Sequence, residues 1–400
     1  MKLFSFIIKK AMKPTVILTA GLLCAALVFM CASFNSSYGK ADDYKKILSG
    51  FSTAKEGYEF SKGKSSMISD TGNEIYAKAD KYINSHNNGG VPGVLPNSMV
   101  DELLEARSAS YENSKQIYTI MSKQLYSQAK SYELISERVE GYSRNIRRGV
   151  KDEYSLKTAE LMTDDYTEVL HNEESSDTVY DTRAADNFTD FLSSEIISYI
   201  GIFMLTFSVF SSELQSRRFA SIRISAYGAK KYAAARSFTG LLQAAVFFTV
   251  FCFALVLSVL ISSGSSILSM PVQYLKGFEL SHLSLSFGGF ILYVYAIKLI
   301  HLLALAAASM LISLISGKVI VSAFGSGMIF ALCIAAGRLE GAAGQILSCD
   351  IIGMSNDINV IDLGGSPIRV IYIFTAAMIA FTLISFLMII LLSKRRRCYA

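Results

Sequence analysis

Long apolar stretches alternate with polar segments along the chain, and six of the apolar stretches are long enough to cross a lipid bilayer. A helix needs about 20 residues for this crossing. Because the bilayer core offers a backbone no hydrogen-bonding partners, such stretches are expected to be helical. The six predicted spans are approximately 15–34, 193–212, 237–262, 291–316, 319–337 and 369–392.

The first apolar stretch is interpreted as a retained membrane anchor rather than a cleaved secretory signal. It follows Lys9, Lys10 and Lys13, as a signal would. However, TVILTAGLLCAALVFMCASF is longer than the roughly 7–15 apolar residues of a signal and has no convincing small-residue cleavage site.

The polar segment 35–190, between the first and second spans, shows the periodicity of a coiled coil. Every seventh residue of one seam is apolar: Leu104, Tyr111, Tyr118, Leu125, Tyr132, Val139 and Ile146. The positions that would complete the seam are mixed, with apolar Val100, Met121, Ile135 and Tyr142 but polar Arg107, Ser114 and Gln128. Sustained heptads favour paired helices, so we predict a long helix that ends near Arg148.

Three further elements are predicted around this helix. An earlier helix covers roughly 41–84, the turn-rich HNNGGVPGVLPN (86–97) follows it, and a third helix near 150–171 returns toward the second span. Residues 171–187 are expected to form a loop. The result is an antiparallel helical hairpin that projects from the membrane, either as a structural spacer or as an arm that contacts a partner or substrate.

Composition supports a membrane protein. The 400 residues are 52% hydrophobic and 18% charged, with a mean hydropathy of +0.38, whereas a soluble domain has about 25% charged residues. We therefore predict an all-α polytopic protein with six transmembrane helices and a helical, coiled-coil extracytoplasmic domain. Its predicted parts are 1–34 (N-terminus and first span), 35–190 (extracytoplasmic domain), 191–393 (spans two to six) and 394–400 (basic tail).

Basic residues set the expected orientation. The N-terminus, segment 213–236, Lys318 and the tail KRRR (394–397) together hold fifteen Lys/Arg and one acid, while 35–190 has 19 basic and 26 acidic residues. Cytoplasmic loops carry the excess of Lys and Arg. Both termini are therefore expected in the cytoplasm and 35–190 outside the plasma membrane. This rule explains the basic segment without nucleic acid, which is not expected as a partner.

No motif for catalysis, metal binding or cofactor binding is found in the sequence. KGKSSM (62–67) resembles the end of a phosphate-binding loop, but that motif needs a glycine where Tyr58 stands. The four histidines are widely separated: His86, His171, His282 and His301. We expect a non-catalytic chain without a cofactor or a bound metal.

Lys298 and His301 form a candidate polar site inside the fourth span, because residues three apart share a helix face. An ionisable residue within a membrane suggests function. The apolar stretch extends from Phe287 to Ser316, about 45 Å of helix, so its beginning should lie at the outer interface. Lys298 is therefore expected to snorkel outward, with a role on a translocation path as the alternative.

The segment between the second and third spans follows a distinctive order. It has one acid (Glu213), a basic stretch (Arg217, Arg218, Arg223), a small-residue break (Ser225, Ala226, Tyr227, Gly228) and a basic lead-in to the next span (Lys230, Lys231, Arg236). This order resembles the cytoplasmic loop between spans 2 and 3 in ABC transporter permeases of the type-2 exporter class. The break lacks the proline that members often carry.

The resemblance implies a function and partners. In that family the loop forms a coupling helix that docks on a separate ATPase subunit, and two permease chains form the path through the membrane. Six spans with a large ectodomain after the first match one branch of the class, and 337–368 looks like its outer re-entrant element. The chain is thus expected to be an exporter permease in contact with membrane lipid.

Two alternatives stay open. The first is a permease similar to the cell-division and macrolide-export type, which normally has four spans and transmits motion to extracytoplasmic partners. The second is a membrane-anchored sensor or adhesion protein that needs no ATPase.

Overall fold

The computed structural model describes residues 47–85, 109–149, 152–173, 178–193, 196–216, 228–336, 360–362 and 367–395, together with the single positions 21 and 98. These residues are predominantly helical, in agreement with the predicted fold class. A small departure is a two-stranded antiparallel ribbon of β1 (Val360–Asp362) and β2 (Pro367–Arg369).

Ten α-helices are found in the described residues. Four polar helices come first, and we call them the polar layer: α1 (Ala54–Ser85), α2 (Ala109–Arg147), α3 (Glu153–Glu173) and α4 (Arg183–Ser193). Six helices of the apolar region follow: α5 (Ile196–Thr206), α6 (Ser211–Gln215), α7 (Gly228–Ser263), α8 (Phe287–Ser316), α9 (Val319–Ala336) and α10 (Val370–Arg395).

Five helical stretches within the described residues are long and apolar enough to cross a membrane. They are Ile197–Gln215, Gly228–Ser263, Phe287–Ser316, Val319–Ala336 and Val370–Ser393. These stretches correspond to predicted spans two to six. The first predicted span, 15–34, lies outside the described residues, so the total of six stays a prediction.

Local chemistry sets both ends of α8, which begins at Phe287 and ends at Ser316 as the apolar pattern predicts. At its start, the Ser286 hydroxyl accepts a hydrogen bond from the backbone N–H of Gly289 at 3.3 Å, which satisfies a donor with no partner inside the helix. At its end, Gly317 has a φ of +65°, a left-handed conformation that favours glycine and stops the helix.

Helix α8 lies at the centre of the apolar bundle and contacts α5, α7, α9 and α10. Every residue from Ala304 to Met310 is buried. Small side chains in this stretch let neighbouring helices approach closely. Ser309 Oγ also donates to Ser326 Oγ of α9 at 3.0 Å, which joins the two helices by a hydrogen bond.

Helices α1 and α2 pack against each other as the two predicted hairpin arms. The rings of Tyr58 and Tyr126 meet edge to face, with centroids 5.8 Å apart. Further along α1, Ser65 Oγ and Thr119 Oγ1 share a hydrogen bond of 2.9 Å. Ser65 follows Tyr58 along α1, whereas its partner Thr119 precedes Tyr126 along α2. The two helices are therefore antiparallel.

The predicted heptad seam is buried only in part. Met121, Leu125 and Ile135 are inaccessible to solvent, but Tyr132 is 46% exposed and its neighbour Ser131 is buried instead. The assignment of Tyr132 to the buried seam is therefore wrong. The reason is that α2 changes partner along its length, with α1 against its first half and α3 against its second half.

The helix predicted near 150–171 is observed as α3. The loop expected over 171–187 is wrong for its last part, because α4 begins at Arg183. The sequence of α4 is mostly polar, but its apolar residues follow an amphipathic pattern. Its buried side is formed by Ala184, Ala185, Phe188 and Leu192, whose spacing places them on one face of a helix.

Candidate functional site

The candidate span Ile197–Gln215 is broken near its end. Helix α5 ends at Thr206, residues 207–210 form a turn, and α6 begins at Ser211. We call residues 207–216 the elbow. A break of this kind frees backbone groups that must find partners elsewhere when the segment is surrounded by apolar material.

Glu213 lies on the elbow beside the first turns of α7. Tyr232 Oη donates a hydrogen bond to Glu213 Oε1 at 2.6 Å, and Arg236 Nε approaches the same oxygen to 3.5 Å. Tyr232 and Arg236 are four residues apart and so share a helix face. The side chains of Glu213 and Arg236 are only 15% and 23% exposed. Partial burial weakens the screening of this ion pair by solvent, so it ties α6 to α7.

A serine of α8 supplies the partners that the break requires. Ser313 Oγ accepts hydrogen bonds from the backbone N–H groups of Phe210 and Ser211, at 3.0 and 2.9 Å. All three residues are buried. The elbow is therefore fastened to α8 through the hydroxyl group of Ser313.

Helix α9 is fastened to the elbow at two points. Gln215 Oε1 accepts a hydrogen bond from the backbone N–H of Val319, the first residue of α9, at 3.2 Å. The Ser322 hydroxyl donates to the carbonyl oxygen of Phe207. One short segment thus contacts α7, α8 and α9.

Residues 217–227 of the predicted coupling loop lie outside the described residues, and they include Arg217, Arg218, Arg223, Ser225, Ala226 and Tyr227. Gly228 begins α7 with a φ of +64°, a conformation that side-chain-bearing residues rarely adopt. Lys230 and Lys231 are exposed on the first turn of α7. The structure therefore brings together Glu213 and Arg236 from the predicted set.

Lys298 is buried, and its Nζ donates a hydrogen bond to the carbonyl oxygen of Leu192 at 2.6 Å. Leu192 lies in the last turn of α4, where carbonyl groups lack helical partners and a cation is favourable. The expectation that Lys298 snorkels outward to solvent is therefore wrong. The lysine instead joins α8 to the polar layer.

His301 is also buried, beside Tyr199 and Phe374. Its Nε2 lies 3.4 Å from Tyr199 Oη. A cavity between Lys298 and His301 has a volume of about 10 Å³, roughly the space of one water molecule. This conformation provides no room for a transported molecule at the predicted polar site.

Near its midpoint, helix α2 contacts the end of the bundle. The Gln128 side chain donates from Nε2 to the Tyr180 carbonyl at 2.9 Å and accepts at Oε1 from the Tyr180 N–H at 3.0 Å. Next to it, Ser127 Oγ donates to Glu279 Oε1 at 2.6 Å. Gln128, a polar residue of the predicted seam, is thus used to bind the connection before α4.

Helix α3 makes a second set of contacts with the segments that join the spans. Tyr166 Oη donates to the Leu280 carbonyl at 2.9 Å, and Asp165 forms an ion pair with Arg369 just before α10. The polar layer is therefore bonded both to the loop between α7 and α8 and to the start of α10.

Burial changes the pKa of two groups outside the candidate spans. Burial raises the pKa of Asp186 to about 6, while the Lys276 N–H and the Thr182 hydroxyl, which bond to the carboxylate, oppose the shift. Burial, with a smaller effect of Arg369, lowers the pKa of His282 to about 4. Both groups lie where the polar layer meets the bundle.

Sequence reasoning found Glu213 because it is the lone acid of its segment, but it missed Tyr232, Gln215 and Ser313. Tyr232 carries a detectable signal, since it precedes Arg236 by four residues on the helix that follows the acid. Gln215 and Ser313 carry no such signal, because their roles depend on the break between α5 and α6.

Comparison with known proteins identifies no relative. No family model matches the sequence, and no significant match is found among curated proteins or solved structures. Within the described residues, no group of three or more His, Cys, Asp or Glu side chains is arranged to hold a metal ion. The elbow and its neighbours therefore give the strongest indication of function.

Proposed function

We propose that the chain is the membrane-spanning permease subunit of an ATP-driven exporter of the type-2 ABC class, and that a separate subunit hydrolyses ATP. The observation that carries the proposal is the elbow. It is bonded to three neighbouring spans and immediately precedes the basic segment 217–227. A force applied to that segment would reach α7, α8 and α9 together.

In this scheme the basic segment and the first turn of α7 form a cytoplasmic docking surface for the ATPase. Lys230 and Lys231 are exposed there and suit an acidic surface on the partner. Closure of the ATPase pushes the segment, and the contact of Glu213 with Arg236 transmits the push into α7. The spans then tilt and switch the transport path between the two sides.

The proposal includes a second permease copy and surrounding lipid. Helix α9 exposes a stripe of large apolar side chains, each at least 65% exposed and four residues from the next: Ile320, Phe324, Met328 and Leu332. Residues at this spacing lie on nearly one face of a helix. Such a face suits lipid or the equivalent helix of another copy.

Co-purification of a tagged full-length chain from its native cells tests the proposal. We expect an ABC ATPase to accompany the wild-type protein and to be lost from the Lys230→Glu/Lys231→Glu variant. A matched control is Lys62→Glu/Lys64→Glu in α1, which makes the same charge change in the polar layer. The sensor or adhesion alternative is supported instead if a Lys230→Gln/Lys231→Gln variant keeps its function and no ATPase accompanies either this variant or the wild type.

A second candidate function is transmission of force to partners outside the membrane. The contacts of α3 with Leu280 and Arg369 favour it, because they link movement of the spans directly to the polar layer. The five candidate spans exceed the four that are normal for permeases of that kind. Accessibility labelling of single cysteines placed in each connection separates the two, since the exporter requires six crossings and the force-transmitting class four.

A further inference from the structure

An open groove follows the last turns of α2. Its cavity volume is about 340 Å³, which is within the range of small-ligand sites. It is lined by Arg138, Gly141, Tyr142, Arg144, Asn145 and Arg148. Space is open above Gly141, where an added Cβ would meet no atom within 4 Å.

The groove concentrates positive charge within an acidic part of the chain. Residues 35–190 have 19 basic and 26 acidic side chains, but residues 138–148 hold four arginines and one glutamate. Neither Arg144 nor Arg148 forms an ion pair with another described residue. Arg144 Nε donates a hydrogen bond to the backbone carbonyl of Glu140 at 3.3 Å. Guanidinium groups bind phosphate through paired, charge-assisted hydrogen bonds.

The end of a helix accounts for only part of this charge. Arginines in the last turn complement the negative end of the helix dipole, which explains Arg144 and Arg147. Arg138 lies about two and a half turns before Arg147, the last residue of α2, and still faces the same open space. Because the free carbonyls at this helix end repel anions, the guanidinium groups themselves would have to bind the ligand.

A second cavity of about 260 Å³ continues the groove toward α3 and shares Tyr142 and Asn145 with it. Three hydroxyl groups line this part, and each already donates its proton. Tyr154 donates to the Val360 carbonyl, Ser155 to Asp152 and Thr158 to the Tyr154 carbonyl. Their oxygens are therefore left as acceptors, which suits a ligand that carries hydroxyl donors.

The groove lies at the level where α10 enters the bundle. Tyr154 bonds to Val360 of β1 at 3.1 Å, and Val360 pairs directly with Arg369 of β2. Arg369 is followed at once by Val370, the first residue of α10 and of its candidate span. Paired strands are about 4.8 Å apart. The head groups of a bilayer around the spans would be near this level.

We infer that the groove is a binding site for a phosphate ester with a hydroxyl-rich head group. Arg138, Arg144 and Arg148 hold the phosphate, and the hydroxyl oxygens of Tyr154, Ser155 and Thr158 accept hydrogen bonds from the head group. This chemistry is shared by a glycerol-bearing anionic phospholipid and by a soluble glycerol phosphate ester. The inference does not depend on the transport function.

The test uses the full chain in two preparations. In the first, nanodiscs of phosphatidylcholine contain a minor fraction of phosphatidylglycerol, and lipid that stays bound is counted by native mass spectrometry. In the second, glycerol 3-phosphate is titrated into protein in neutral detergent. We expect Arg148→Gln to weaken the binding of whichever probe occupies the groove by about tenfold. Gly141→Leu fills the groove without a change of charge and should abolish binding.

Lys123→Gln is the matched control, because it removes one positive charge from an exposed position on the same helix outside the groove. Binding by this variant should stay within twofold of wild type. Retention of phosphatidylglycerol alone identifies a lipid site, and binding of glycerol 3-phosphate identifies a soluble ester. The inference is overturned if neither probe binds, if Gly141→Leu binds as well as wild type, or if Lys123→Gln weakens binding as much as Arg148→Gln. Circular dichroism of each variant checks that the fold is intact.

Discussion

The side-chain amide of Gln128 pairs with both backbone polar groups of Tyr180, at 2.9 and 3.0 Å. Gln128→Leu would complete the apolar heptad seam and yet leave these two backbone groups without their partner. Since buried unpaired polar groups are costly, we expect a loss of about 1–3 kcal/mol in the free energy of unfolding. Thermal unfolding in detergent measures the change. Gln128→Glu keeps the acceptor for the Tyr180 N–H but loses the donor, so its stability should lie between those of wild type and Gln128→Leu. A leucine variant as stable as wild type would contradict the prediction.

In the proposed exporter, the contact of Glu213 with Arg236 should be needed to couple ATP hydrolysis to movement of the spans. Arg236→Glu places two carboxylates together beside Tyr232, so we expect it to lower transport-coupled ATPase activity by at least tenfold. The exchanged pair, Glu213→Arg with Arg236→Glu, restores attraction and should recover part of the activity. ATPase assays of the reconstituted complex measure both. Equal loss in the single and exchanged variants would show that the ion pair itself is not what matters.

Removal of the lysine that binds Leu192 should loosen α4 from the bundle. Lys298→Met leaves the Leu192 carbonyl without this donor, and we expect a loss of about 1–3 kcal/mol in stability. Lys298→Arg keeps a donor and should be less harmful. Lys318→Met is the control, because Lys318 is exposed in the turn between α8 and α9. Thermal unfolding of the three variants tests the order, and an unchanged midpoint for Lys298→Met would refute it.

Asp186 should make stability depend on pH. The pKa of its buried carboxyl is about 6 in the folded protein and about 3.9 in an unfolded chain. The folded state therefore binds the proton more tightly, and this contribution is present below about pH 4 and lost as the pH rises through 6. Relative to wild type, Asp186→Asn should gain about 2 kcal/mol between pH 4 and pH 7. Unfolding midpoints across this range measure it, and parallel curves would contradict it.

His282 should act with the opposite sign. The pKa of its buried imidazole is about 4 when folded and about 6.5 when unfolded. Its contribution is therefore present above about pH 6.5 and lost as the pH falls toward 4. His282→Gln should remove this loss, which we expect to be about 3 kcal/mol. Since the two groups oppose each other between pH 4 and 6, wild type should show a flatter profile there than either single variant.

The apolar helices could be predicted because their length, composition and end residues are all local. The bounds of α8 follow from an apolar run between Ser286 and Gly317. The break at residues 207–210 could not be predicted, because the sequence stays apolar through it. It is stabilised by Ser313, 103 residues away from Phe210, and a local pattern contains no information about such a partner.

The packing of the polar layer could not be predicted from a local pattern either. A heptad repeat predicts that α2 is helical, but it does not say which helix packs against which part of α2. Tyr132 is exposed and Ser131 is buried because the partner changes from α1 to α3 near these residues. For the candidate site, charge alone revealed Glu213 and Arg236, whereas the function of Gln215 depends on the position of Val319.

Helix α2 is attached at Gln128, and its first half extends away from this attachment together with α1. About 28 Å of helix separates Ala109 from Gln128 at 1.5 Å per residue. A rotation of roughly 10° at Gln128 would move Ala109 by about 5 Å, a far larger displacement than at residues next to Gln128. A small tilt of the bundle would therefore become a large change in position at the part of α2 near Ala109.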